Sequence, residues 1–147
     1  MKKKIIFLAV AIMLLPLVAG YCQVEEPEIV WAVEVPSIEF TAGEFSPDGT
    51  MFAHGAGGQV HLRETATGEL IKVVRVHKNK VYDVKFLPDG KHIASAGAYD
   101  SVVYITNIET LETQELVLQV TKLLEGHIFN LAVNPDGKYI IAKCYIH

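Results

Sequence analysis

The chain's six histidines, two cysteines and seventeen carboxylate side chains are the raw material for any chemistry it performs. His77, Ser95 and Asp100 supply a base, a hydroxyl nucleophile and an orienting carboxylate, the three types that a Ser-His-Asp triad needs. His54 and His61 lie seven residues apart on what read as consecutive strands, where two imidazoles can converge on a metal. No HxH, HExxH or carboxylate cluster accompanies them, so hydrogen-bonded strand histidines are the simpler expectation. Gly55-Ala56-Gly57-Gly58 is glycine-rich but has neither the lysine nor the helix of a phosphate loop, and reads as a hairpin turn. Cys22 and Cys144 sit near opposite ends, outside any CxxC pair and away from ligand-spaced histidines. Their spacing supports no metal or redox centre, and it neither selects nor excludes one disulfide in an oxidising compartment. The expectation is a chain with no metal, no cofactor and no catalytic residues.

The elements that would position these residues repeat. Phe-Ser-Pro-Asp-Gly at 45–49, Phe-Leu-Pro-Asp-Gly at 86–90 and Val-Asn-Pro-Asp-Gly at 133–137 place Pro47, Pro88 and Pro135 41 and 47 residues apart. Proline presets φ, aspartate accepts local backbone hydrogen bonds and glycine takes the positive φ, so each copy predicts a tight turn between two strands. Before the turns, apolar residues recur three and then two positions apart: Val81, Val84, Phe86 and Ile128, Leu131, Val133. The first copy has Phe40, Gly43 and Phe45 in those slots. After the turns, β-rich runs are predicted at 51–55, 92–96 and 139–144. Third strands follow at 59–64 and 101–107, and fourth strands near 70–76 and 120–124. Thr65 to Glu69 supplies another glycine-containing turn. Units of about forty residues with four antiparallel strands are the plan of a β-propeller blade.

Val76-His77, the series from Val81 to Phe86, Pro88-Asp89-Gly90, Ile93-Ala94-Ser95 and Asp100 together resemble a WD-repeat blade. Val60-His61-Leu62-Arg63-Glu64 stands where that family has its Val-Lys-Leu-Trp-Asp strand. The resemblance covers roughly residues 38–147. It implies that His77, Ser95 and Asp100 form a structural hydrogen-bond network within the blade rather than a catalytic triad. The family's Trp-Asp pair is replaced by Arg63-Glu64 and by Thr106-Asn107, which predicts a network wired without an indole donor. His127 lies eight residues before Pro135, whereas His77 lies eleven before Pro88. The shorter spacing is similar to bacterial Tyr-Val-Thr-Asn propeller repeats, a second family reading.

The N-terminus has a different pattern. Lys2, Lys3 and Lys4 precede an apolar run from Ile5 to Ala19, broken by Pro16 and followed by Gly20. That is the three-part form of a secretory signal peptide, and its fifteen apolar residues fall short of the roughly twenty that cross a bilayer. Tyr21 separates Gly20 from Cys22, so the lipid-modification box of bacterial lipoproteins is interrupted by one residue. Membrane attachment is expected only if Cys22 carries lipid or the first segment is retained. Cleavage after Gly20 removes three lysines and no acids, so ten basic residues face seventeen acidic ones and the formal charge moves from −4 to −7. Six glutamates (Glu25, Glu26, Glu28, Glu34, Glu39, Glu44) precede the first basic residue of the cleaved chain, Arg63. An acidic chain of this kind argues against nucleic acid as a partner.

These patterns predict an all-β chain of antiparallel four-stranded blades, about two of them complete and a third begun. Residues 1–20 are the signal peptide, 21–37 an acidic leader whose run Glu28 to Val35 reads as an outer strand, and 38–147 an incomplete propeller. Its repeats are expected at about 38–76, 77–124 and 125–147. A fragment of a longer chain, assembly with further chains into a ring, and an open arc that self-associates through its blade edges all fit, the fragment best. The expected function is an exported protein-interaction scaffold. Lys78, Asn79 and Lys80, with Tyr99, Phe129 and Asn130, are the candidate partner-binding loops. The alternative is a piece of a secreted propeller-containing enzyme of the lactonase, quinoprotein or peptidase-associated kind.

Overall fold

The structure, a computed structural model, describes residues 29–32, 40–117 and 126–146. It is built from antiparallel meanders. The first sheet runs β1 (Phe40–Phe45), β2 (Met51–Ala56), β3 (Gln59–Glu64), β4 (Leu70–Arg75). The second runs β5 (Val81–Phe86), β6 (His92–Gly97), β7 (Val102–Asn107), β8 (Thr113–Val117), and the third pairs β9 (Gly126–Val133) with β10 (Ile140–Ile146). These are two four-stranded propeller blades and a pair of strands that repeats the start of a blade.

The three Pro-Asp-Gly turns close as their residues demand. Gly49, Gly90 and Gly137 adopt φ of 73°, 65° and 74°. In each, the aspartate Oδ1 accepts the backbone N–H two residues on, from Thr50, Lys91 and Lys138 at 2.9–3.0 Å. Successive turns also touch: a Cβ added to Gly137 would lie 3.2 Å from Cδ of Pro88, and one on Gly90 3.8 Å from Cδ of Pro47. Turn chemistry therefore sets both the hairpin and the spacing of neighbouring blades.

The uneven apolar rhythm of the inner strands has a structural cause. Register shifts fall between Val81 and Asp83 in β5 and between Phe40 and Gly43 in β1. In the third sheet the irregularity separates the pairs Lys143–Asn130 and Cys144–Ile128. A bulge adds one residue, so the inward positions recur at a step of three before the ordinary step of two. Inward residues then meet the preceding blade. Val81, Val84, Phe86 and Ile93 pack with Ala53, Val60 and Leu62 of the first blade. Ile128 and Leu131, flanked by Ile140, Ala142 and Cys144, pack with Ala94, Ala96 and Val103 of the second. Each fully buried aliphatic side chain contributes roughly 1.5–3 kcal/mol, so these junctions are the hydrophobic core.

The fourth strand of the second blade is β8 at Thr113–Val117, earlier in the chain than the expected 120–124, which lies outside the described residues. Within the expected leader strand, residues 29–32 carry no strand, and the rest of that run also lies outside the described residues.

Candidate functional site

β5 and β6 start the second blade, and the chain before β5 folds so that His77 lies over β6. Its Nδ1–H donates to Asp100 Oδ2 at 2.7 Å, and Ser95 Oγ donates to Nε2 at 2.9 Å. A carboxylate beside Nδ1 takes that nitrogen as donor, which leaves Nε2 of the neutral ring to accept. Burial is the main influence on His77 and pushes its pKa down, with Asp100 opposing in part, so the neutral form is the folded form. The Tyr104 ring stands edge-on to the imidazole with centroids 4.7 Å apart. Ser95 has no exposed surface, so its hydroxyl is out of reach of any substrate, and the three residues bind strands together. Thr106, in the expected indole position, turns its Oγ1 to Thr113 on β8 at 3.1 Å.

The first blade has a counterpart that sequence reasoning missed. The pairs Phe52–Arg63 and Ile93–Thr106 occupy the same register, as do His54–His61 and Ser95–Tyr104. Arg63 therefore holds the indole position, and its Nε–H donates to Nε2 of His54 at 3.2 Å while Nη1 donates to the Gly68 carbonyl at 2.8 Å. His54 must be neutral to accept, and burial lowers its pKa. His61, also shifted down chiefly by burial, lies 5.4 Å from His54 and donates Nε2–H to Gln59 Oε1 at 3.2 Å. The Arg63 guanidinium occupies Nε2 of His54, and the two histidines meet each other as an edge-on ring contact. Among the described residues no group of three or more His, Cys, Asp or Glu side chains could hold a metal ion.

The connections at one end of the blades gather the candidate partner-binding residues. Lys78 and Asn79 are exposed in the β4–β5 connection and Lys80 is half-buried. The Lys80 carbonyl accepts from Ala98 N at 2.8 Å, which knits this loop to the β6–β7 loop. There Tyr99 and Ser101 adopt φ of 59° and 51°, left-handed conformations that cost side-chain-bearing residues roughly 1–3 kcal/mol each. This backbone carries the Tyr99 ring, 57% exposed, to within 4.1 Å of the His127 ring centroid on β9. His127 stacks on Phe129 at 5.6 Å and 14°, and Phe129 meets Tyr82 of β5 at 4.8 Å. The structure thus joins Tyr99 and Phe129 through Tyr82 and His127, across the junction of the second and third sheets. Tyr82 was legible only as an aromatic at an off-pattern position between Val81 and Asp83.

Asn130 is placed differently. Its Nδ2 donates to Asp83 Oδ2 at 3.0 Å, and the same oxygen accepts Leu131 N at 2.7 Å. Asp83 is fully buried and also accepts Val84 N at 2.9 Å. Glu44 repeats this latch one junction earlier, its Oε2 accepting Phe86 N at 2.7 Å. Lys85 stands between both carboxylates, 3.6 Å from Glu44 and 3.8 Å from Asp83. A carboxylate on β1 and another on β5 thus each grip the inner strand of the next sheet, and Asn130 belongs to the second grip.

Four-stranded meanders, bulged inner strands and a buried His–Ser–Asp network define β-propeller blades. The family model of the WD domain, G-beta repeat, matches residues 68–107, the stretch from the end of the β3–β4 turn through β7, so this stretch is similar to a WD repeat. Over 63 residues it is 40% identical to an intraflagellar transport protein 122 homolog of Xenopus tropicalis, 40% to that of Danio rerio and 38% to that of Homo sapiens. The matched stretch is 43% of this chain and spans 5% of the length of each relative.

Proposed function

We propose that this chain is an exported WD-repeat scaffold that docks a partner protein on the loop end of its second and third sheets, with no catalysis of its own. The observation that carries this reading is the aromatic cluster of Tyr82, Tyr99, His127 and Phe129, with Tyr99 57% and Phe129 44% exposed. Aromatic side chains give large contact area at low entropic cost, and a strained backbone that presents one is a mark of use. Lys78 and Asn79 border the cluster through the loop that Lys80 ties to Ala98. The similarity of residues 68–107 to a WD repeat supports protein interaction in general without specifying a partner.

Alanine at Tyr99 or Phe129 tests the surface. A hot-spot residue is worth about 2 kcal/mol or more, roughly thirtyfold in affinity. Proteins captured specifically by the wild type should be lost from Tyr99→Ala and Phe129→Ala while both variants melt like the wild type. Unchanged capture by both variants contradicts the assignment. Export rests on the pattern of residues 2–20 and is tested by the mass of the chain recovered from a secreting host. A chain beginning at Tyr21 is expected, and one that keeps Met1 contradicts cleavage of the signal peptide.

A further inference from the structure

Each blade has a flank that meets its predecessor, and the cross-strand pairs Phe86–Ile93 and Val133–Ile140 mark it in the second and third sheets. The equivalent pair in the first sheet is Phe45–Phe52, with ring centroids 5.0 Å apart and Phe45 56% exposed. Gly43 makes room for this arrangement, since a Cβ there would run into the Phe52 ring and lie 2.9 Å from the Ala53 carbonyl oxygen. What lies over Phe52 is Trp31, edge-on at 5.9 Å and 71°.

Trp31 is held from three sides. Its Nε1–H donates to the Thr65 carbonyl at 2.6 Å. Its indole covers Gly68, where an added Cβ would come within 2.8 Å of Cδ2, and Gly68 has φ +73°. The Gly68 carbonyl in turn accepts Arg63 Nη1, which connects the contact to His54. Ile29 and Val30, just before it, are 90% and 58% exposed, so Trp31 is anchored within an otherwise exposed stretch.

We propose that Trp31 is a plug: it straps residues 29–32 onto the flank of the first blade that the later blades present to their predecessors. Thr65 N bonds the Thr50 carbonyl at 2.9 Å, which puts the plug at the end of the sheet that holds the Pro-Asp-Gly turns. Lys78, Asn79 and Tyr99 are at the other end, about 20 Å away along a six-residue strand. Resting on the docking assignment above, this means that Trp31 is held away from the partner surface. A preceding blade would have to displace Trp31 to pack here.

Trp31 is the only tryptophan, so the emission of the full chain reports the plug alone. The expected result is blue-shifted emission with several-fold weaker iodide quenching than free N-acetyltryptophanamide, both lost in the same thermal transition as the β-sheet circular dichroism. Gly68→Ala should push the indole out, shifting emission to the red and raising quenching while the sheet signal persists. Native emission as quenchable as the free amide overturns the plug, and it does so with the unaltered chain even if Gly68→Ala fails to fold. Retained protection in a folded Gly68→Ala variant overturns it as well. Neither readout depends on partner binding, so loss of the plug and loss of the docking surface are distinguished.

Discussion

At the residue scale, polar groups buried between strands carry the most distinctive consequences. His77, His54 and His61 are all held neutral chiefly by burial. Their folded pKa values lie below the unfolded value near 6.5, so below that pH the unfolded chain binds more protons than the folded one. Stability is therefore fully present above about pH 6.5 and falls as the pH drops from there towards the folded values. Melting temperatures across this window should decline on acidification, and His77→Gln should flatten the decline by removing one of the three contributors. A profile that rises on acidification, or an unchanged slope in His77→Gln, contradicts the network described for this residue. Asp83 gives a larger effect. Asp83→Ala leaves Leu131 N–H and Val84 N–H without their acceptor in a buried place and frees the Asn130 amide, which costs about 3 kcal/mol. Urea unfolding should show that loss, with Asp83→Asn milder because its carbonyl still accepts from Leu131. A change below about 0.5 kcal/mol, typical of surface sites, contradicts the latch.

At the element scale, what was legible depended on whether the cause was local. The Pro-Asp-Gly turns were readable because their hydrogen bonds join residues two to five apart. The inner strands were readable from apolar spacing, and the step of three encoded the bulge. β8 was misplaced because Thr113–Val117 is exposed throughout. It is held by its ladder to β7, with pairs such as Val103–Leu116 and Thr106–Thr113, while the apolar run further along attracts any reading by hydrophobicity. Asp83 was missed as a functional residue because its partners, Asn130 and Leu131, lie 47 and 48 residues away. The Arg63–His54 bond needed the register of β2 and β3, which composition alone does not fix. Replacing Gly90 by Ala at φ 65° should cost roughly 1–2 kcal/mol, read as a lower melting temperature, and a neutral outcome contradicts the left-handed turn.

At the scale of the whole molecule, the repeating junction organises the packing of the sheets. The second blade packs on the first and the third sheet on the second, each through an apolar flank and a carboxylate latch. The proposed docking cluster straddles the later of these junctions, where neighbouring residues of β9 divide between surface and core, with Phe129 outside and Leu131 inside. β10 presents Ile141 at 71% and Tyr145 at 53% exposure on a two-stranded sheet, and an exposed strand edge of this kind recruits further strands. Residues 21–147 alone should accordingly self-associate in size-exclusion chromatography with light scattering, and a monodisperse monomer contradicts that expectation.

The most direct test of the scaffold assignment is site-specific photo-crosslinking in the cells that express the chain. A photoreactive residue in place of Tyr99 or Phe129 should give a discrete adduct with another protein. The same residue at Ile71, which is 51% exposed on the outer strand of the first blade, should give none. Adducts from Ile71 alone, or from none of the three positions, contradict a partner surface on the loop end of the second and third sheets.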